Sequence, residues 1–347
     1  MTKELVKSQP SPIKKALLPS LRWIALVAVF AWAGIAQDTQ SSQPSQTVTR
    51  PAVHGHRPTV RDGAPTNPSL CAQCVQDNLT YLAGPELHGR GSGTEDEHAA
   101  AEFIADKLKS YGLAPAAGDE QYIQTKEDQA WNVLGKIEGT TEKDQIILLS
   151  AHFDHLGVKD GKTYYGADDD ASGTVAVMEL ARMLAKQPRN KRTIVVALWG
   201  SEEKGLVGVR YFLQNPTIPL KNIVANLEFE MIGRPDPKLK PGGLWLTGWD
   251  RTNLGPALAE HGAKLVGDPR PDQKFFTRSD NYAVAQAGII AQTVSSYGLH
   301  RDYHQTTDTV DKIDFQHLDQ AISSMIRPVT WLANTEFKPE WVKGKKP

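Results

Sequence analysis

From residue 131 onward the chain alternates short, continuous apolar runs with amphipathic segments, and this alternation limits the folds that it can form. Runs such as 146–149 (IILL) and 194–198 (IVVAL) lack the polar alternation of a half-exposed strand. Strands buried on both faces have this composition, and they are typical of parallel sheets covered by helices. The pattern predicts an α/β fold, a three-layer sandwich in which a mostly parallel mixed sheet lies between two layers of helices.

The segment before this alternation predicts one further helix, over residues 95–111. Thr94 and Glu97 form a capping-box pattern, an apolar stripe follows at helical spacing, and Gly112 ends the segment. The preceding glycine-rich sequence LHGRGSG, residues 87–93, predicts a flexible loop.

Composition divides the chain into four parts. Residues 1–36 combine a basic stretch with a run of about 14 apolar residues, shorter than the roughly 20 that a bilayer span needs, which predicts a signal peptide cleaved before Gln37. An uncleaved membrane anchor and a cytoplasmic amphipathic segment are the alternatives. Residues 37–69 predict a disordered linker, residues 70–338 a single domain and residues 339–347 a basic tail. The protein is therefore expected to be exported to the periplasm or the medium.

Charge and cysteine content exclude several function classes. A net charge of −1 gives no electrostatic attraction to nucleic acid, and a membrane contact is expected only through the possible anchor. The two cysteines, Cys71 and Cys74, cannot complete a tetrahedral zinc site alone, and no thioredoxin-like strand and helix surround them. They are predicted to be a structural disulfide or a pair of free thiols.

Histidines and carboxylates follow several of the predicted strands. Ligands of open α/β sheets gather beyond the carboxyl ends of the strands, so these side chains are expected to share one edge. The candidates are His152, Asp154, His155, Asp168, Asp169, Asp170, Glu202, Glu203, Glu228, Glu230, His304 and Asp308. Any one of them alone is more simply a solvated loop residue, and Asp170 alone could cap the helix that follows it. Together, with only Lys204 beside them, they would form an uncompensated acidic pocket unless cations bound there.

The donor types indicate which cations would bind. Imidazole and carboxylate suit Zn²⁺ and can also bind Mn²⁺ or Co²⁺. The donors are too many for one tetrahedral ion, whereas two ions about 3.5–4 Å apart that share a carboxylate would use the whole set. One aspartate of Asp168, Asp169 and Asp170 would bridge them, and the residues alone do not show which one. They also do not decide between Glu228 and Glu230.

The ordered motifs AHFDHLG, GADDDASG, WGSEEKG, FEMIGR, RSDNY and YHQTTDT resemble a known family. They are similar to the co-catalytic di-zinc metallopeptidases, peptidase family 28, which include bacterial leucyl aminopeptidase and aminopeptidase Y. The resemblance implies that Asp169 bridges two zinc ions, that Glu202 is the general base and that Asp154 orients a metal-binding histidine. The metal ligands that it implies are His152, Asp169, Glu203, Glu230 and His304.

The resemblance further implies an exported zinc aminopeptidase, which hydrolyses the amino-terminal bond of peptides with a free N-terminus through a water that bridges the two ions. Three alternatives stay open. The first is another di-zinc exopeptidase (a carboxypeptidase or a dipeptidase), the second is a glutaminyl cyclase-like acyltransferase, and the third is a metal-free binding protein. One position departs from the pattern, because Phe276 stands where some relatives carry a tyrosine. The oxyanion donor is therefore unassigned, with Tyr297 and Arg278 as candidates.

Overall fold

A computed structural model of the protein describes residues 69–347. The predicted signal or anchor and the predicted linker, except for its last residue, lie outside the described residues. The strands are β1 (Ala114–Pro115), β2 (Ile123–Lys126), β3 (Ala130–Ile137), β4 (Glu142–His152), β5 (Gly157–Lys159), β6 (Lys162–Tyr164), β7 (Arg192–Trp199), β8 (Ile223–Phe229), β9 (Leu244–Leu246), β10 (Leu265–Gly267) and β11 (Ala291–Ser295). The α-helices are α1 (Ala72–Leu82), α2 (Glu95–Ser110), α3 (Gly173–Ala185), α4 (Val207–Gln214), α5 (Leu254–Glu260), α6 (Asp280–Gln286) and α7 (Phe315–Asn334).

Nine of these strands form one sheet with a parallel centre. Its order is β1-β3-β7-β4-β8-β11-β9-β10, and β2 pairs with β3 beside this path. Strands β7, β4, β8 and β11 run parallel to one another, whereas β3 is antiparallel to β7 and β9 is antiparallel to β11. The predicted class, a mixed sheet between helices, is confirmed.

The central strands bury both of their faces, as the continuous apolar runs predict. In β4, Ile147 and Leu149 join a core cluster with residues of α1, α2, α3 and α7. The alternate residues Ile146 and Leu148 join a second cluster, on the opposite face, with residues of α4 and α6. Successive side chains of a strand point to opposite faces, so a strand between two helix layers is apolar at every position.

Short strands at the margins have no such signature. Strand β1 has two residues and β2 has four, and the hairpin of β5 and β6 is separate from the large sheet. Their residues are mostly exposed or partly buried. Polar, half-exposed stretches of this length are not distinguishable from loops by hydrophobic period, so the sequence does not predict these strands.

Helix α2 begins at the predicted cap, but one half of the capping box has other partners. The Thr94 side chain accepts a hydrogen bond from the Glu97 backbone N–H, at 3.5 Å. The Glu97 carboxylate accepts from the Gly93 N–H and from the Ser201 hydroxyl instead of returning to Thr94. Burial raises the pKa of Glu97 to about 8. Glu97 therefore ties the start of α2 to the turn that follows β7.

The glycine-rich segment 87–93 is a loop, as predicted, but most of its residues are buried, which the expectation of a flexible loop did not include. Arg90 is fully buried, and its guanidinium donates to the carbonyl of Phe153 at 2.6 Å and to that of Gly166 at 2.9 Å. It also donates to the carbonyls of Leu82 and Tyr165. Composition does not predict the burial of this segment. The glycines allow a close approach of the backbone, and the hydrogen bonds that hold the loop come from one long side chain, that of Arg90.

Replacing Arg90 by methionine is expected to lower the free energy of unfolding by at least about 3 kcal/mol, because hydrogen bonds from a charged donor are each worth about 1.5–3 kcal/mol. Methionine fills similar space but leaves four carbonyl groups without this donor. Urea unfolding of metal-free protein measures the change. The exposed Arg210, replaced in the same way, is the control. A loss below about 1 kcal/mol, within the range of an average mutation, would contradict this account.

Cys71 and Cys74 are joined by a disulfide, which decides between the two alternatives left open by the sequence. The bridge lies at the start of α1. The Cys71 N–H donates to Glu179 of α3, at 2.7 Å, so the bridged turn is attached to the core.

The segment after α7 lies against the domain surface. Trp341 forms a β-bridge with Thr252, and the Val342 N–H donates to the Arg251 carbonyl at 2.7 Å. The predicted division at residues 338 and 339 stays a prediction. Among residues 69–347, no helix has both the length and the apolar character that a bilayer crossing requires.

Candidate metal centre

The predicted ligands all follow elements of the parallel centre of the sheet. His152 is the last residue of β4, and Asp169 lies in the helical turn Ala167–Ser172 that precedes α3. Glu203 lies in the turn after β7, Glu230 directly follows β8, and His304 lies in the loop between β11 and α7. The parallel arrangement brings these segments to one edge, because parallel strands place their carboxyl ends together.

Asp169 lies at the centre of the group, and its two oxygen atoms face different partners. Oδ1 is 3.3 Å from His152 Nε2, and Oδ2 is 3.2 Å from His304 Nε2. Glu230 offers an oxygen within 4.8 Å of the donors of His152 and Asp169. Glu203 Oε1 is 3.1 Å from His304 Nε2. The structure thus brings all five predicted ligands together, in two groups that share Asp169.

The side chains of Asp168 and Asp170, the neighbours of Asp169, bind groups of the surrounding loops instead. Asp168 accepts from the Gly233 N–H at 2.7 Å, and its other oxygen is 3.0 Å from His300 Nε2. Asp170 Oδ1 accepts from the N–H groups of Gly173, at 2.9 Å, and Met231, at 3.1 Å. The three consecutive aspartates therefore point to different surroundings, which separates their charges.

The remaining carboxylates of the sequence list lie behind the group. Asp308 accepts from the backbone N–H groups of Asp168 and Asp169, at 3.1 Å each, and so holds their loop. Glu228 lies within β8 and accepts from the Ser150 hydroxyl. Burial raises the pKa of Glu228 to about 8.

Asp154 connects the end of β4 to the turn that carries Glu202 and Glu203. Its carboxylate accepts from the Glu202 N–H at 2.8 Å, the Glu203 N–H at 3.3 Å and the Ser92 hydroxyl at 2.6 Å. Its Oδ1 is 3.6 Å from His152 Nδ1, which is beyond hydrogen-bond range. Asp154 therefore fixes the turn directly and lies beside the histidine.

Glu202 and Glu203 do not belong to a strand. Strand β7 ends at Trp199, and Ser201 has a positive φ of 53°. The chain turns there, so the two carboxylates are separated by turn geometry and not by strand alternation. Burial, and the nearby charges of Asp280 and Glu203, raise the pKa of Glu202 well above its ordinary value, although His152 opposes the shift.

Among the described residues, little positive charge lies beside the group apart from the buried Arg90 guanidinium, which interacts with Asp154, Asp169 and Asp170. Lys204 is the cationic residue that follows Glu202 and Glu203 directly in the sequence. Its ammonium group donates to the Ser92 carbonyl. Burial raises the pKa of Glu230 to about 7. Burial opposes a charge on His304, but the nearby carboxylates of Asp169 and Glu203 outweigh this effect and raise the pKa of His304 to about 10. The carboxylates therefore favour any cation beside them.

The buried donor atoms fit a metal ion. Both ring nitrogens of His152, Oδ2 of Asp169 and Oε1 of Glu203 are buried without a hydrogen-bond partner in the protein. Buried polar groups are costly in this state, because they have lost water without gaining a replacement. Imidazole nitrogen and carboxylate oxygen are ligands of zinc and of other divalent first-row metals.

Sequence reasoning missed one contributor to this region and assigned no role to another. Ser92, in the supposedly flexible loop, bonds Asp154. His155 is fully buried, with Nδ1 3.0 Å from Glu203 Oε1. Its place next to Asp154 in AHFDHLG was visible, but no spacing rule distinguishes it from a loop histidine.

The fold and the site define an α/β protein with a histidine–carboxylate metal centre at the carboxyl ends of its parallel strands. The chain belongs to Peptidase family M28, whose model matches residues 132–329.

Individual relatives are similar to parts of the chain. A probable lipoprotein aminopeptidase, LpqL, of Mycobacterium tuberculosis is 30% identical over 224 residues, which cover 55% of this chain and 43% of that protein. The chain thus spans less than half of the length of that relative. Among solved structures, a zinc aminopeptidase from Bacillus subtilis matches with a TM-score of 0.61 and 18% identity, covering 78% of this chain and 97% of that one. Porphyromonas gingivalis glutaminyl cyclase matches with a TM-score of 0.55 and 18% identity, covering 75% and 98%.

Proposed function

We propose that the protein is a zinc-dependent aminopeptidase that uses two zinc ions, for which Mn²⁺ or Co²⁺ could substitute. The observation that carries this proposal is the orientation of Asp169, whose Oδ1 faces His152 while Oδ2 faces His304. Glu230 extends the first group and Glu203 the second. A carboxylate between two sets of donors is the arrangement that a pair of ions would need.

The chain's own residues would move the proton. When bound, zinc polarises a carbonyl group and lowers the pKa of a water molecule. Glu202 takes the proton from the attacking water and returns it to the leaving amine. Asp154 holds the Glu202 backbone N–H, and so fixes the turn that carries the base.

Charge favours the amino end of a peptide. Glu202, Glu203 and Glu230 are partly buried, and among the described residues no lysine or arginine forms an ion pair with them. A carboxylate that is not a proposed ligand of either ion, such as Glu202, favours a protonated α-amine over the carboxylate of a peptide C-terminus. The proposed substrates are therefore peptides with a free N-terminus, and not the substrates of a carboxypeptidase.

A second candidate is a glutaminyl cyclase-like acyltransferase, because the fold is also similar to that of such an enzyme. That reaction joins the α-amine of an N-terminal glutamine to its side-chain carbonyl and releases ammonia. Such a cyclase uses a single zinc, which would leave part of the donor set unused. The presence of both groups of donors, including Glu203 and His304, therefore favours the peptidase.

Purified protein reconstituted with zinc is expected to release p-nitroaniline from aminoacyl p-nitroanilides and to leave N-acetylated analogues uncut. Mass spectrometry of a peptide with both ends free should show stepwise loss from the amino end. Peptides that begin with glutamine separate the candidates, because a peptidase releases glutamine whereas a cyclase loses ammonia and keeps the chain length. Loss of residues from the carboxyl end, or cleavage of blocked substrates, would overturn the aminopeptidase proposal.

The composition of residues 1–36 supports a further part of the proposal, export to the periplasm or the medium. Expression of the full chain, followed by fractionation and N-terminal sequencing, tests it. A mature protein beginning at Gln37 is expected. An intact N-terminus in the membrane fraction would indicate the anchor, and full-length cytoplasmic protein would refute export.

A further inference from the structure

His155 is held in one place by the backbone around it. Its N–H donates to the Arg90 carbonyl at 3.0 Å, and its carbonyl accepts from the Ser92 N–H at 3.2 Å. Its ring lies against Gly166, where a Cβ atom would come within 2.4 Å of the imidazole Cγ. Only glycine at position 166 leaves room for the ring, so the imidazole is held in place by the packing around it.

The ring is buried beside the second group of donors and lacks hydrogen-bond partners. The side chain has no exposed surface, and neither ring nitrogen is hydrogen-bonded in the protein. Nδ1 is 3.0 Å from Glu203 Oε1 and 3.8 Å from Asp169 Oδ2. Those two oxygens also lack hydrogen-bond partners. His155 Nδ1 is thus near Glu203 but not aligned to donate to it.

The distances fit the edges of a coordination tetrahedron. Zinc bonds of about 2.0–2.1 Å at tetrahedral angles place neighbouring donor atoms about 3.3 Å apart. The four donors are His155 Nδ1, Asp169 Oδ2, Glu203 Oε1 and His304 Nε2. Four of their separations are 3.0, 3.8, 3.2 and 3.1 Å. Three of the four donors come from elements other than that of His155, so local sequence alone does not create this cluster.

We infer that His155 is a direct ligand of the ion held by Asp169, Glu203 and His304, an inference that rests on the proposed two-zinc function. The two positions then differ in kind. The His155 side has four protein donors, whereas the side of His152, Asp169 and Glu230 has three. The side with four protein donors is expected to hold its ion more tightly.

The first test measures metal binding. Zinc is titrated into chelator-treated wild type and into His155→Ala by calorimetry, with His317→Ala as the control. His317 is likewise a buried histidine without hydrogen-bond partners, but it lies in α7. In His155→Ala the tighter of two zinc affinities is expected to weaken by at least about tenfold, the minimum seen even for outer-sphere changes, while the weaker affinity stays. Cobalt absorption should show the tighter site losing four-coordinate intensity. Unchanged affinities in a folded variant would overturn the inference.

The second test does not depend on a variant. In zinc-soaked crystals of the wild type, the anomalous peak of the second ion should lie about 2.0–2.1 Å from His155 Nδ1. Two ions with His155 more than about 3 Å from both would overturn this inference and leave the proposed function standing, because no zinc–nitrogen bond is that long. Absence of both ions would overturn the proposed function as well.

Discussion

The Glu202→Gln variant is expected to retain its metal and to lose at least about 10²-fold in kcat, the lower end for removal of a general base. Glutamine keeps the size of the side chain and one carbonyl oxygen, but it cannot accept the proton of the attacking water. The backbone N–H of residue 202 still donates to Asp154, so the turn is retained. Steady-state kinetics on an aminoacyl p-nitroanilide measures the loss, and plasma mass spectrometry measures the metal.

Glu228→Gln is the matched control for that experiment. Glu228 is a buried carboxyl near the same group, but it lies within β8 and bonds Ser150. Since burial raises its pKa to about 8, it is largely neutral at pH 7, and an amide is a close replacement. Its kcat should stay within a few-fold of wild type. Equal losses in both variants would show that general disturbance, and not base removal, explains the result at residue 202.

The central sheet could be predicted because its physical signature is strong. Residues 146–149 of β4 and 194–199 of β7 are apolar at every position, and this is the result of burial on two faces. The position of the site followed from the same topology, because His152 and Glu230 come at the ends of parallel strands. Residue types at strand ends therefore carried much of the functional information.

Long-range details could not be read from the sequence. The choice of Asp169 over its neighbours depends on bonds from Gly233 and Met231, which are remote in the chain. The role of Arg90 depends on carbonyl groups of three other segments. Hydrophobic periodicity does not predict contacts between residues that are remote in the chain. Only the family resemblance could therefore indicate which of the three aspartates bridges the ions.

Asp169→Asn is expected to lose both metal ions, whereas a change of any other ligand should affect chiefly one. Asp169 is the one side chain shared by both groups of donors in the described part of the chain. The amide keeps one oxygen acceptor but presents nitrogen, a donor group, toward either His152 or His304. It also removes the negative charge from a buried site. Metal content by plasma mass spectrometry, after dialysis against a weak chelator, should fall from two ions per chain to near zero.

Asp168→Asn provides the matched control, because it makes the same chemical change one residue away. The Asp168 oxygens accept from Gly233 and lie beside His300, and an asparagine can still accept from Gly233. We expect this variant to keep two ions, although it is less stable than wild type. Since both variants remove one buried charge from the same loop, a difference in metal content isolates ligation from electrostatics. Two ions retained in Asp169→Asn, or both lost in Asp168→Asn, would assign the bridge to the wrong aspartate.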